Sequence, residues 1–220
     1  MTTAQRTQLQ DQLDEITANT RALVQPDRLA ISERAVEELL ASNIEKRILP
    51  VGAKAPDFAL SDFSGRSVRS TDLLALGPLV VSFFRGRWCP YCVTELEAWR
   101  DLYPLLRERG ALMVAISPQT IRQNDFTAGQ HSIPFPLLTD HGCETAAKFG
   151  LVYTVPDYQR QYYRNILVNI PFVNGDESWR LPLPATYVLR QDGTVLYAEA
   201  HADFRVRPEP REALAALTRL

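Results

Sequence analysis

Cysteine and histidine are scarce in this chain of 220 residues, with three of each. Three cysteines are too few, and odd in number, for the disulfide framework of a small secreted domain. No uninterrupted apolar run approaches the roughly 18 residues that a membrane-spanning helix needs. The first twenty residues are polar and contain no apolar segment of the signal-peptide kind. We therefore expect a cytoplasmic protein without a membrane partner.

Excess charge is also missing. Lysine and arginine total 24 and aspartate and glutamate 26, so the formal net charge is −2. A nucleic-acid-binding domain usually carries a basic patch or stripe, so no nucleic-acid partner is expected. The hydrophobic share of 45% is ordinary for a globular chain. This length suits one large domain, or a domain with an extension.

The chain does contain one Cys-x-x-Cys motif, Cys89-Pro90-Tyr91-Cys92. It stands between an apolar, strand-like run at 79–84 and a helix predicted over 93–109. Amide groups at a helix N-terminus and nearby cations lower the pKa of a thiol, and Arg85 and Arg87 directly precede the motif. The pattern therefore predicts a redox-active dithiol, with Trp88 as an apolar wall beside it.

Other interpretations of the dithiol stay open. His141 and Cys143 could complete a zinc site of three cysteines and one histidine. The two thiols could merely pack in the core, or they could form a regulatory disulfide without catalysis. Cys143 could also be a third redox thiol, although a small buried residue is the simpler interpretation.

Apolar periodicity divides the chain in two. Residues 1–50 predict two amphipathic helices, which we interpret as a packed or dimer-forming N-terminal extension, with a separate interaction module as the alternative. Residues 51–220 predict a β-α-β-α-β-β-α domain, whose parallel strands are joined by crossover helices. An aromatic-rich insertion at 151–183 precedes the final β-hairpin. In the helix after the motif, Glu95 is assigned to the outer, solvent-facing side.

Four segments resemble peroxiredoxin-like proteins of the alkyl hydroperoxide reductase / thiol-specific antioxidant family, which have a thioredoxin fold. Phe-Phe-Arg-Gly-Arg-Trp-Cys-Pro-Tyr-Cys at 83–92 resembles the active-site segment. The segments at 51–58, 135–140 and 184–189 resemble the opening, the middle and a late strand of that domain. The resemblance implies an α/β thioredoxin fold over 51–220, carrying an N-terminal helical extension and an insertion before the final hairpin.

The resemblance also assigns roles. The typical family pattern is Pro-x-x-x-Thr-x-x-Cys, which would make Cys92 the peroxide-attacking thiol and place Cys89 at the threonine and Arg85 at the proline. Glu95 matches a common acidic position. The family's later-strand arginine has no evident counterpart. Comparison with thioredoxins instead makes Cys89 the attacking thiol and Cys92 its resolving partner, and Pro184 a cis-proline beside the dithiol.

These assignments imply a thiol-dependent oxidoreductase that reduces hydroperoxides through a Cys89–Cys92 disulfide. A thioredoxin-like reductase acting on protein disulfides is the alternative, and a non-catalytic sensor or zinc-binding module is the second. A reductant of the thioredoxin or glutathione type would reset the pair, and no metal or organic cofactor is required. The helical extension and the exposed aromatic side chains suggest a homodimer.

Overall fold

The computed structural model of the protein describes residues 9–219. The strands formed there are β1 (Ala59–Asp62), β2 (Ser67–Arg69), β3 (Leu79–Phe83), β4 (Leu112–Ser117), β5 (Leu137–Thr139), β6 (Val152–Thr154), β7 (Arg180–Pro182), β8 (Ala185–Leu189) and β9 (Val195–Ala200). The helices are α1 (Leu9–Leu23), α2 (Pro26–Ala41), α3 (Ser70–Leu76), α4 (Pro90–Glu108), α5 (Ile121–His131), α6 (Glu144–Lys148), α7 (Asp157–Asn165), α8 (Ile170–Asn174) and α9 (Pro210–Ala216).

Seven strands form one mixed sheet in the order β2-β1-β5-β4-β3-β8-β9. The neighbours β3 and β4 are parallel, as are β4 and β5, because α4 and α5 cross over between them. The neighbours β3 and β8 are antiparallel, and β8 and β9 form the final hairpin. The predicted α/β architecture is therefore confirmed.

The central strand β3 is enclosed on both faces, as its uninterrupted apolar sequence predicts. Val80 faces a core cluster that contains Trp99 of α4. Val81 and Phe83 face the opposite cluster, which contains Phe149. Both faces of the sheet are thus covered by helices, and the chain leaves β3 directly into the Cys-x-x-Cys motif.

The N-terminal extension consists of the two predicted helices. α1 packs on α4, and Leu9 and Leu13 lie in the same buried cluster as Trp99. α2 lies against α7 of the insertion, and Val36 is its one buried side chain. The first helix is therefore part of the main core, whereas the second is attached mainly by its partly exposed side chains. The boundary at residue 50 stays a prediction, and residues 1–8 lie outside the described part.

The insertion at 151–183 has secondary structure of its own. β6 and β7 form a small antiparallel sheet, and α7 and α8 lie between them in sequence. The members of its own small core are Val155, Tyr163, Ile170, Trp179 and Leu181. Trp88 packs against this core from the motif side, so the insertion is positioned next to the dithiol.

Gly150 lies where the segment after α2 crosses the end of α6. Its φ is +74°, and a Cβ there would lie 2.0 Å from the carbonyl oxygen of Arg47. An alanine in this left-handed conformation costs about 1–2 kcal/mol by itself. We expect Gly150→Ala to lower the free energy of unfolding by more than this amount, because its Cβ would also clash with the backbone of Arg47. Urea titration measures this loss.

The matched control for that substitution is Gly193→Ala. Gly193 has a similar φ of +81°, but no atom lies within 4 Å of its added Cβ. It therefore tests the conformational cost without the clash. Equal losses of stability in the two variants would contradict the close approach at Gly150.

Candidate active site

The Cys-x-x-Cys motif lies at the carboxyl end of β3, where the chain turns into α4. Cys89 is the N-cap residue, with an extended φ of −98°, and Pro90 occupies the first helical position, which needs no N–H. The helix therefore starts at Pro90, three residues before the predicted start at 93. Cys92 lies in the first turn, and all three cysteines of the chain are free thiols.

Arg85 brings a positive charge to both sulfurs. Its Nη2 donates a hydrogen bond to Cys89 Sγ at 3.0 Å, and its backbone N–H donates to Cys92 Sγ at 3.4 Å. The side chain is only 3% exposed. The rings of Phe204, at 4.0 Å, and Trp88, at 5.0 Å, flank the guanidinium and hold it in place. This contact agrees with the helper role predicted for Arg85.

Arg207 is the residue that the sequence analysis missed. It follows β9, and its Nη2 donates to Cys92 Sγ at 3.3 Å and lies 3.9 Å from Cys89 Sγ. Its Nη1 pairs with Glu95 Oε2 at 2.5 Å. The sequence showed no evident counterpart of the family's later-strand arginine, but in the fold Arg207 reaches the dithiol from the far end of the chain.

The assignment of Glu95 to the outer side of the helix is also wrong. Glu95 is 1% exposed and faces the dithiol, held by its ion pair with Arg207. Burial raises the pKa of Glu95 to about 7, against the opposing charge of Arg207. A carboxyl group with this pKa can accept or release a proton near neutral pH.

The two thiols ionise differently. Burial alone would raise the pKa of Cys89, but the hydrogen bond from Cys92 and the charges of Arg85 and Arg207 hold it well below its usual range. Burial, together with donation of its own proton to Cys89, raises the pKa of Cys92. The site therefore favours a thiolate on Cys89 and a neutral thiol on Cys92.

An open cleft of about 160 Å³ leads to this pair. Cys89, Arg85 and Trp88 form its floor, whereas Cys92 is not among its lining residues. One wall comes from the N-terminal helices and the other from the aromatic insertion, including Tyr162 and Tyr163. A molecule that enters the cleft meets the sulfur of Cys89 first.

The structure also places Arg87, Pro184 and Trp88, which the sequence assigned to the site. Arg87 points away from the sulfurs, since its Nε donates to Gln123 at 2.7 Å and its guanidinium stacks on Phe126 at 4.4 Å. Residues 9–219 contain no cis peptide bond, so the prediction of a cis-proline at Pro184 is wrong. Trp88 packs edge-on against Tyr163, with 5.3 Å between the ring centres, and lies beside the dithiol as an apolar wall.

The third cysteine takes no part in the site. Cys143 is buried, its Sγ contacts the carbonyl oxygen of Arg180 at 3.5 Å, and burial raises its pKa. Within the described residues, no group of three or more cysteine, histidine or acidic side chains is arranged to hold a metal ion. The zinc site imagined from His141 and Cys143 is therefore not assembled.

The comparison with known proteins agrees with this geometry. A sequence model described as AhpC/TSA family matches residues 51–198. The chain belongs to this family. The match covers the sheet, the motif and the insertion, and it confirms both the resemblance seen in the sequence and the thioredoxin-type fold.

Relatives of two kinds are similar to this AhpC/TSA chain. The thiol-disulfide oxidoreductase ResA of Geobacillus thermodenitrificans is 32% identical over 108 residues, which are 49% of this chain and 61% of that protein. Peroxiredoxin Q, chloroplastic, of Oryza sativa subsp. japonica is 29% identical over 146 residues, 66% of this chain and 57% of the relative. The chain thus matches about three fifths of each relative's length.

Two solved structures share the architecture of this chain. Peroxidoxin BcpB from Mycobacterium tuberculosis is 26% identical, with a TM-score of 0.62 over 78% of this chain and 98% of that one. Peroxiredoxin Q of Xanthomonas campestris is 20% identical, with a TM-score of 0.57 over 79% and 95% of the two chains, a likeness of fold alone. None of the helices formed by residues 9–219 has the length and apolar character that crossing a membrane requires.

Proposed function

We propose that the protein reduces hydroperoxides through a dithiol–disulfide cycle of Cys89 and Cys92. One observation carries this proposal: the thiol with the lowered pKa, Cys89, lies on the floor of a cleft, with Arg85 at 3.0 Å, and the Arg207 guanidinium lies near both its sulfur and that of Cys92. The thiolate is the reactive form of cysteine, and a neighbouring cation stabilises it. Membership of the AhpC/TSA family supports the same chemistry.

In the first step the Cys89 thiolate attacks the terminal oxygen of the hydroperoxide. The S–O bond forms as the O–O bond breaks, so that Cys89 becomes a sulfenic acid and the substrate leaves as an alcohol after taking up one proton. Arg85 and Arg207 are placed to stabilise the negative charge that moves from sulfur to the leaving oxygen.

In the second step Cys92 attacks the sulfur of the sulfenic acid. The S–S bond forms, the S–O bond breaks, and water leaves. Cys92 must lose its proton, and because its pKa is raised it needs a base. Glu95 is suited to this role, because the same Arg207 guanidinium contacts both its carboxylate and Cys92 Sγ.

Two equivalents of thiol then reduce the Cys89–Cys92 disulfide, and one disulfide of the reductant is released. We propose a thioredoxin- or glutathione-type reductant and a cytoplasmic location, since a reactive dithiol suits a reducing compartment. A homodimer stays a prediction.

A second candidate function is the reduction of protein disulfides. It is favoured by the similarity to the thiol-disulfide oxidoreductase ResA and by the position of Cys89 as the N-cap of α4. In that reaction Cys89 would attack a disulfide instead of a peroxide, and Cys92 would resolve the mixed disulfide.

A turnover assay separates the two functions. The purified protein is given tert-butyl hydroperoxide with dithiothreitol as reductant, and the remaining peroxide is measured over time. We expect many turnovers per chain, faster than with free cysteine at the same thiol concentration. A rate no better than free cysteine, together with rapid reduction of insulin disulfides, would replace the first function with the second.

The role of Glu95 gives a prediction about pH. Because the pKa of Glu95 is about 7, its carboxylate is available as a base above that pH, so disulfide formation should accelerate as pH rises through 7. Glu95→Gln should slow this step by up to about a hundredfold and abolish the inflection near neutrality. Stopped-flow measurement of disulfide formation after one equivalent of peroxide, from pH 5.5 to 8.5, records the profile.

Glu97→Gln is the matched control, since Glu97 lies on the same helix and is partly exposed at the surface. We expect its profile to keep the inflection. An unchanged profile in Glu95→Gln would show that another group accepts the proton from Cys92.

A further inference from the structure

The N-terminal helices and the insertion meet above the dithiol. Thr17 of α1 lies 3.1 Å from the hydroxyl of Tyr91, inside the motif. Glu33 of α2 pairs with Arg205 at 2.6 Å. We use the term roof for α1, α2 and α7 together. Both helices of the extension lie outside residues 51–198, the segment that the AhpC/TSA family model matches.

The two cysteines beneath the roof have almost no contact with solvent. Cys89 is 1% exposed and Cys92 0%. Thiol–disulfide exchange requires the incoming sulfur to approach the attacked sulfur to bonding distance. The open cleft of about 160 Å³ offers that approach to a small molecule, because this is room for roughly ten water-sized positions. A disulfide on the surface of a folded protein would have to pass between side chains of α1, α2 and α7, which line the cleft together with Cys89.

We infer that the roof is a size filter, which admits small molecules to Cys89 and excludes thiols and disulfides carried on folded proteins. The inference takes from the proposed function only that Cys89 is the attacking thiol. It predicts that the substrate and the reductant are both small while the roof is closed. A protein reductant could act only when α2 lifts.

The α2 helix is the part of the roof best able to move. Val36 is its one buried side chain. Two exposed contacts join α2 to α7. Glu38 accepts a hydrogen bond from the Tyr158 hydroxyl at 2.6 Å, and the Arg34 guanidinium lies 4.1 Å from the centre of the Tyr158 ring. Exposed polar contacts of this kind contribute little to stability. Weakening α2 should therefore open the site without damaging the main core.

Two disulfides with the same leaving group test the filter. One is the thionitrobenzoate mixed disulfide of 2-mercaptoethanol, and the other is a small folded protein with thionitrobenzoate on one surface cysteine. In both, the Cys89 thiolate attacks the carrier's sulfur, a new S–S bond forms, and thionitrobenzoate leaves as its coloured thiolate. Cys92 then attacks Cys89 Sγ, and the carrier thiol leaves with the proton. The rate at which the protein reacts with each probe is divided by the rate at which dithiothreitol reacts with the same probe. This ratio removes any difference in intrinsic reactivity between the two probes.

We expect the wild-type protein to react with the small probe at least a hundredfold faster than with the protein probe. Glu37→Pro should break α2, because proline in a helix interior costs about 3 kcal/mol. Glu37 is exposed, so Glu37→Ala is a control at the same position. The proline variant should react with the protein probe about tenfold faster than the alanine variant, while the small-probe rates stay within about threefold.

Comparable wild-type rates for the two probes would overturn the inference. So would a Glu37→Pro variant that has lost helix by circular dichroism but still excludes the protein probe. If Glu37→Pro does not fold, Tyr158→Ala, on the outer side of the roof, replaces it with the same expectation. Release of thionitrobenzoate needs no peroxide turnover. Size selection without peroxidase activity would thus contradict the proposed function and leave the filter standing.

Discussion

Cys89→Ser will abolish hydroperoxide consumption, whereas Cys92→Ser will still reduce one equivalent and stop at the sulfenic acid. Cys89 carries the lowered pKa and lines the cleft, so its loss removes the only thiolate the substrate can reach. Cys92 has a raised pKa and lies behind it, so its loss removes only the resolving step. Intact mass spectrometry after one equivalent of peroxide, with dimedone to trap the sulfenic acid, distinguishes the two results.

The expected masses are specific for each variant. Cys92→Ser should gain one dimedone adduct, the wild type should lose two hydrogens as the disulfide forms, and Cys89→Ser should remain unmodified. Cys143→Ser is the control, because Cys143 is buried away from the cleft, and it should behave as the wild type. An adduct on Cys89→Ser and none on Cys92→Ser would reverse the roles and restore Cys92 as the attacking thiol, as the peroxiredoxin pattern assigns it.

The sequence was sufficient for the fold because its strongest signals are local. The apolar run at 79–84 lacks the alternation of apolar and polar residues that a half-exposed strand shows, so it predicts a buried strand. The Cys-x-x-Cys motif that follows predicts a junction between a strand and a helix. Pro90 at the first helical position agrees with both. Each of these signals depends on neighbours within a few residues, which a reader of one sequence can see.

The electrostatic part of the site could not be predicted in the same way. Arg207 follows the last strand and meets Cys92, a contact across 115 residues that no spacing rule relates. Glu95 follows Cys92 by three positions, which places both on one face of α4, but charged side chains are rarely buried without a partner. Without knowledge of Arg207, the outward position was the reasonable expectation for Glu95.

The choice of attacking thiol depended on the same missing information. The two family comparisons assign Cys89 and Cys92 opposite roles, and sequence alone offers no measure of which sulfur meets solvent. The cleft is built from the N-terminal helices and the insertion, which are separated from the motif along the chain. Only the folded arrangement shows that this cleft ends at Cys89.

Arg207→Gln is expected to slow the reaction with hydroperoxide by about a hundredfold to a thousandfold. The guanidinium contacts both sulfurs and is itself buried, and a buried charged donor stabilises developing charge far more strongly than one at the surface. Its removal should raise the pKa of Cys89, because one of the two charges that lower it is lost. The rate of iodoacetamide alkylation against pH, in a Cys92→Ser background, reports that pKa directly.

The same substitution should also destabilise the fold above pH 7, because loss of the cation raises the pKa of the buried Glu95 carboxyl group further above its value of about 7. The loss of stability should grow with pH by up to about 1.4 kcal/mol for each pH unit above 7. A double-mutant cycle separates the two effects. In Arg207→Gln with Glu95→Gln, no titratable carboxyl group remains at this position, so urea denaturation above pH 7 should show most of the stability recovered. The alkylation pKa should stay raised, because the cation is still absent. If the double variant recovers both stability and the low pKa, Arg207 serves only to neutralise Glu95, and Arg85 alone activates Cys89.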